Sequence, residues 1–238
     1  MKVLAINGSP RKNRNTAVLL KNALDGAASQ GAETELVHLC DLDYKGCTSC
    51  FACKLKNGKS YGKCALRDGL SPILDKIPNV DALILGSPVY FGSLTGEMWS
   101  FMERLSFPYL SLDPQGASLF PKKIKMGFIV TLSMPESRMK ELGLDRHFET
   151  TAMIVSRLFG SHELLVAVGT NQWWSDDYTK YIRSTDEVAE AKQRSEERFP
   201  IDCQKAFEMG VRFAKQPEQD LRLNSSFLNF RARSSPCS

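Results

Sequence analysis

The chain alternates short unbroken apolar runs with longer stretches in which apolar residues recur every three or four positions. Runs of the first kind suit strands buried on both faces of a parallel sheet, and stretches of the second kind suit amphipathic helices. Lys2–Asn7 is such a run and leads into Gly-Ser-Pro. Behind it, Asn15 can cap a helix whose apolar positions are Leu19, Leu20, Ala23, Leu24 and Ala27, and Gly31 closes that helix. Residues 33–39, 80–85, 124–131 and 163–168 read as four further strands, the third of the five ending in Gly86-Ser87-Pro88. Helical spacing fills the intervals: residues 70–77 with Pro72 in a first turn, 94–105, and most of 138–159. Ser184 and Glu187 form a capping box for a charged helix, and Pro200 opens a last one with Cys203, Phe207, Gly210 and Ala214 on one face. Five such units predict an α/β fold, a doubly wound five-stranded parallel sheet with helices on both faces. Residues 40–67 break the rhythm with cysteines, lysines and glycines and read as a cysteine-rich loop insertion. The expected organisation is one domain over 1–216, carrying that insertion, and a tail over 217–238.

Composition narrows the class. The 238 residues, 42% hydrophobic and 24% charged, suit one large globular domain. No apolar run approaches the roughly 18 residues of a membrane span. Met1-Lys2 leads straight into Val3-Leu4-Ala5-Ile6, too short a run for a secretory leader, so the expectation is a cytoplasmic protein away from membranes. A net charge of +4 is too mild to indicate nucleic acid, and no basic stripe interleaved with aromatics is present. Seven cysteines (Cys40, Cys47, Cys50, Cys53, Cys64, Cys203, Cys237) make an odd set that does not form a disulfide framework. Cys237 has one residue after it and is not a prenylation box.

In a sheet of this kind ligands lie at the carboxyl ends of the strands, at the point where strand order reverses. The loop Gly8-Ser9-Pro10-Arg11-Lys12-Asn13-Arg14-Asn15-Thr16 joins the first strand to the first helix. A phosphate there would meet unpaired backbone N–H groups and the positive end of the helix dipole. Ser9 and Thr16 add hydroxyls, Asn13 and Asn15 amides, and Arg11 a planar charged fork. The loop is neither G-x-G-x-x-G nor a Walker A motif, so a dinucleotide or nucleoside triphosphate is disfavoured there. The plainer reading is a polar turn with an asparagine cap. The second loop, Ser87-Pro88-Val89-Tyr90-Phe91-Gly92-Ser93, suits a flat aromatic ring: Pro88 and Gly92 allow close backbone approach, and Tyr90 or Phe91 can stack. An aromatic-rich turn packed on the core would look the same.

Cys47-x2-Cys50-x2-Cys53, with Cys64 after ten more residues, supplies the thiolate count of a [4Fe–4S] cluster, and zinc would also accept four thiolates. Reduced or oxidisable thiols in a loop that covers a cofactor or a subunit interface are the alternative, and the residues leave both readings open. His38, His147 and His162 are scattered without metal spacing and read as structural. Trp173-Trp174 read as core or interface packing, and Leu94, Met98, Phe101 and Met102 as the buried face of a helix. No Ser/His/Asp set or carboxylate pair stands out.

Together, Ile6-Asn7-Gly8-Ser9-Pro10-Arg11-Lys12 with Asn15-Thr16, the three spaced cysteines, and Gly86-Ser87-Pro88-Val89-Tyr90-Phe91-Gly92-Ser93 resemble the NADPH-dependent FMN reductase superfamily. Within it the chain is most similar to the iron–sulfur flavoprotein branch of archaea and anaerobic bacteria. Specific motifs cover about residues 1–135, and only element order matches beyond. The resemblance implies a flavodoxin-like fold, FMN, a homodimer or homotetramer, and electron transfer between NAD(P)H or a ferredoxin-like donor and a small acceptor such as a quinone, a flavin or an oxygen species. It implies that Ser9, Arg11, Asn13, Asn15 and Thr16 hold the phosphate and that Pro88, Val89, Tyr90, Phe91 and Gly92 line the ring. Thr131 and Ser133 would stand at a third flavin loop, and Cys47, Cys50, Cys53 and Cys64 would bind a [4Fe–4S] cluster if one is present. No protein acid or base is needed for such chemistry. Arg14 stands where the family usually has a small residue, and the last cysteine gap is longer than the branch's. An electron carrier whose cluster feeds FMN, and a redox-sensing or quinone-binding regulatory module, are the other readings.

Overall fold

Each central strand has two apolar faces. Along β1 (Lys2–Asn7), Leu4 and Ile6 enter one core while Val3 and Ala5 enter the other. In β3 (Ala82–Tyr90), Leu83 and Leu85 part from Ala82 and Ile84 in the same way. In β5 (Lys125–Thr131), Met126, Phe128 and Val130 part from Ile129. Strands with no solvent face require a helical layer on both sides. The computed structural model describes residues 1–113, 118–170 and 185–215, with the backbone alone at 185–188, 190, 191 and 194.

The sheet order is β2 (Glu33–His38), β1, β3, β5, β6 (His162–Ala167), with every one of these pairings parallel. That is the flavodoxin-like doubly wound order, whose reversal lies between β1 and β3. The register sets Asn7 opposite both His38 and Gly86, and Pro88 opposite Thr131. Consequently the carboxyl ends of β2, β1, β3 and β5 form one continuous edge.

Helices α1 (Asn15–Ala28) and α6 (Thr185–Ala214) cover one face, through Leu19, Leu20, Ala23, Ala206, Met209 and Phe213. The other face carries α2 (Ser71–Lys76), α3 (Gly96–Tyr109) and α5 (Leu144–Phe159), through Ile73, Phe101, Leu105, Phe148 and Phe159. Where α1 meets α6 the two backbones touch. A Cβ on Gly26 would fall 2.0 Å from the Phe207 carbonyl oxygen, and one on Gly210 would fall 1.7 Å from that of Ala23.

Four elements differ from the sequence expectation. The third strand does not stop at Gly86-Ser87-Pro88; it pairs with β5 as far as Pro88 and then folds back through Phe91-Gly92 onto β4 (Ser93–Leu94). Leu94 is therefore a strand residue, and α3 begins two residues later, where the Thr95 hydroxyl accepts the Met98 N–H at 3.2 Å. The stretch 138–159 breaks into α4 (Glu136–Glu141) and α5 at Gly143, which takes a φ of 68°. Pro200 does not open a helix but lies inside α6. Interior proline costs a helix about 3 kcal/mol, and packing of Phe199 and Cys203 on the same core carries α6 through it. Trp173-Trp174, the Ser184–Glu187 capping box and the tail 217–238 fall outside the described residues or side chains.

The α1–α6 contact predicts a steep response to volume. Gly210→Val should lower stability by about 3 kcal/mol, the upper end for overpacking, because the clash is with backbone that cannot repack. Urea denaturation checks it, with Gln204→Ala as an exposed control that should stay within about 0.5 kcal/mol of the wild type.

Candidate functional site

Beyond Asn7 the first loop is shaped by its own hydrogen bonds. Gly8 N–H donates to Gly86 C=O at 2.8 Å, and the Thr95 hydroxyl donates to Gly8 C=O at 2.8 Å. Asn7 Oδ1 accepts the Ser9 N–H at 3.0 Å, and Ser9 Oγ accepts the Arg11 N–H at 3.1 Å. The capping residue of α1 is Arg14, not Asn15: its backbone is extended, and its C=O accepts the first helical bond from Val18 at 3.0 Å. Its side chain does not cap the helix, and the first turn carries no acid. Such a helix start favours an anion. A small concavity lies there, lined by Ser9, Arg11, Arg14, Asn15, Thr16, Pro88 and Thr131.

Six of the residues expected from sequence thus meet: Ser9, Arg11, Asn15 and Thr16 from the first loop, Pro88 from the second, Thr131 from the third. Thr131 and Thr16 are both buried, and their hydroxyls hydrogen-bond at 2.8 Å, which ties the end of β5 to the start of α1. Asn13 is exposed and does not line the concavity, whereas Arg14, assigned no role from sequence, does. Val89, Tyr90, Phe91 and Gly92 form the β3–β4 hairpin instead. Phe91 and Gly92 have φ values of 51° and 79°, the pattern of a type I′ turn. Phe91 is fully exposed and held in a conformation that bulky residues rarely adopt. Ser133 is exposed and lies outside the concavity.

The cysteine segment is an ordered run of turns laid against α3. Cys47, Cys50, Cys53 and Cys64 line one largely apolar pocket, with Arg104 and Phe107 of α3 on its wall. Among the described residues, no three or more His, Cys, Asp or Glu side chains converge on a single metal-ion position. Burial pushes the Cys53 thiol above its ordinary value. Ser49, Phe51 and Asn57 all adopt positive φ, so the backbone is bent at non-glycine residues three times in nine positions.

Two cations fasten this segment. Lys54 Nζ donates to the carbonyls of Phe107, Pro108 and Leu110 at the end of α3, where the helix dipole favours a positive charge, and it stands over the Phe107 ring. Arg104 has no exposed side-chain surface, yet each nitrogen of its guanidinium has an acceptor. Nε donates to Cys64 Sγ at 2.9 Å; Nη1 and Nη2 take both oxygens of Asp68, at 2.7 and 3.2 Å, and the carbonyls of Lys45 and Leu66. This pairing holds the Asp68 carboxyl below the usual carboxylate range. Sequence reading missed Arg104; its one signal was an arginine three residues after Phe101, inside the apolar stripe of α3. Of the histidines, His162 is satisfied by Glu149 and Ser156 at 2.9 and 3.0 Å, and His147 is exposed beside the Phe148 ring. His38 hydrogen-bonds Asn7.

The fold and this loop define a flavodoxin-like protein with a polar concavity at the sheet's switch point. The chain belongs to the NADPH-dependent FMN reductase family, whose pattern it matches over residues 1–145, and members of that family are oxidoreductases. It is 41% identical over 104 residues to an iron–sulfur flavoprotein of Methanocaldococcus jannaschii, a match taking in 44% of this chain and 51% of that protein. The chain spans about half the length of the curated relatives it matches. Among solved structures it is similar to an NAD(P)H:quinone oxidoreductase from Methanothermobacter marburgensis (TM-score 0.61, 12% identity, 91% of this chain and 98% of that one). A second is an FMN-dependent NADH-azoreductase from Bacillus anthracis in complex with FMN (TM-score 0.59, 13% identity, 90% of this chain and 100% of that one). These structural likenesses concern the fold.

Arg104 and Asp68 give a paired expectation. Arg104→Met should destabilise the protein by about 3 kcal/mol, the lower end for breaking a buried pair, since Asp68 keeps some contact with solvent. Because the Asp68 pKa is lowered in the folded state, its contribution is complete above the unfolded value near 4 and is lost as pH falls below it. Denaturation at pH 7 and pH 3 should therefore show a wild-type loss on acidification that Asp68→Asn lacks in part.

Proposed function

We propose that the protein is an FMN-dependent oxidoreductase that draws electrons from NAD(P)H or a ferredoxin-like donor and passes them to a small acceptor such as a quinone, a flavin or an oxygen species. The observation that carries this reading is the meeting of Ser9, Arg11, Asn15 and Thr16 with Pro88 and Thr131 at one helix start that has no side-chain cap. The residues fit a flavin phosphate. Hydroxyls, an amide and a guanidinium converge where α1 brings a positive end and no acid. FMN would supply the redox chemistry, and the protein would supply binding, orientation and shielding. In this reading Ser9, Arg11, Asn15 and Thr16, with Asn13, hold the phosphate. Pro88 and the hairpin residues Val89, Tyr90, Phe91 and Gly92 wall the ring, and Thr131 and Ser133 stand at a third flavin loop. The proposed setting is a cytoplasmic homodimer or homotetramer in which residues 1–216 fold as one domain.

A second reading is supported by the cysteine segment. Four cysteines around one apolar cavity, rather than converging on a point, suit a group that takes one thiolate at each of four iron corners. Cys47, Cys50, Cys53 and Cys64 would hold a [4Fe–4S] cluster there, and the protein would act as a carrier from cluster to flavin. The similarity to an iron–sulfur flavoprotein supports the same reading.

Reconstitution with FMN after anaerobic purification tests the first reading. Flavin absorbance should co-migrate with the protein, and NAD(P)H should be oxidised in the presence of an acceptor. Arg11→Ala should weaken FMN binding about tenfold, the loss of roughly 1.4 kcal/mol expected for one charge-assisted contact. Protein that retains no FMN at any concentration tried would refute the proposal. Iron and acid-labile sulfide near four per chain would establish the second reading, and their absence would leave the cysteines as thiols.

A further inference from the structure

We propose that His38 is a positioning residue for the phosphate loop: its unprotonated Nδ1 anchors the Asn7 amide, Asn7 anchors Ser9, and protonation of His38 undoes the loop's anion-binding form. This rests on the reading of residues 8–16 as the flavin phosphate site.

Asn7 is fully buried at the carboxyl end of β1, directly opposite His38 in the parallel register. Its orientation follows from its neighbours. The Ser9 backbone nitrogen, 3.0 Å away, can only donate, so the atom facing it must be Oδ1. The atom 2.9 Å from His38 Nδ1 is then the amide nitrogen Nδ2, which also can only donate. His38 Nδ1 must therefore accept, and the neutral ring carries its proton on Nε2. An imidazolium donates from both nitrogens. It would set two donors against each other at hydrogen-bond distance. Rotating the Asn7 amide to relieve them would bring its NH2 against the Ser9 N–H. No orientation of Asn7 satisfies both Ser9 and a protonated His38. Ser9 in turn accepts the Arg11 N–H, so the disturbance starts at the root of the loop.

The charged groups facing His38 oppose one another. Asp41, in the turn after β2, favours the imidazolium; Lys12, in the phosphate loop, opposes it; and the two are ion-paired. Burial prevails and holds His38 below its ordinary value of about 6.5. A bound phosphate would attract the imidazolium, so the sign of the pH effect separates hydrogen-bond control from simple charge attraction.

The test compares FMN titrations of the full-length wild type and of His38→Gln between pH 5 and pH 8.5, read by flavin fluorescence. Glutamine can present an amide oxygen to Asn7 and does not titrate. The FMN phosphate itself titrates near pH 6, equally for both proteins, so the ratio of their dissociation constants is the quantity compared. That ratio should be near one at pH 8, and towards pH 5 the wild type should bind several-fold more weakly than the variant, within the limit of about tenfold per pH unit that one linked proton sets. Nitrogen-15 NMR of the imidazole at pH 8 should show the proton on Nε2. Parallel titrations, tighter wild-type binding at low pH, or a proton on Nδ1 at pH 8 would overturn the inference. If neither protein binds FMN at pH 8, the flavin reading fails and takes this inference with it.

Discussion

A parallel strand buried on both faces offers the outside world only its ends. β1, β3 and β5 have this character: their side chains alternate between two closed cores. The backbone amides and carbonyls at the carboxyl edge must then be answered by whatever leaves the sheet there. In this chain the answers come from a small set of hydroxyls and one amide. Thr95 takes up Gly8, Ser87 takes up Thr95, Asn7 takes up Ser9, and Thr16 meets Thr131. The concavity at the start of α1 is the space left when those groups are satisfied by one another.

Much of this could be read in the chain beforehand. The five apolar runs and the polar loop after the first are local signals, set by period and by turn chemistry. Less was legible where a long-range contact overrides a local one. β3 runs through Gly86-Ser87-Pro88 because β5 offers a partner as far as Thr131, which no window around residue 86 contains. Arg14 rather than Asn15 occupies the N-cap position of α1, although asparagine is the better cap by propensity. Pro200 looked like a helix start because its local rule says so, and the packing of α6 on both sides of it decided otherwise. Arg104 was hidden for a similar reason. On a helix it reads as a polar interruption, and only the folded cysteine segment supplies Cys64, Asp68 and the two carbonyls that let it be buried.

Helix α3 joins the two regions of chemical interest. Its cap, Thr95, bonds both the first loop and Ser87, while Arg104 and Phe107 in its later turns wall the cysteine pocket. Fourteen residues of helix span about 20 Å. A single rigid rod thus references both regions to the same sheet, and the long gap before Cys64 is bridged by Lys54 and Arg104 rather than by shortening the chain.

The two regions also differ in how they answer dissolved ions. The Arg104–Asp68 pair has one partner wholly withdrawn from solvent, so mobile counterions do little to its attraction. The first loop is open: Arg14 is exposed, and the Lys12–Asp41 pair is nearly half exposed. Rising ionic strength therefore screens the charges of the first loop while the cysteine segment keeps its shape. One molecule thus carries a salt-responsive surface and a salt-indifferent interior on opposite ends of one helix.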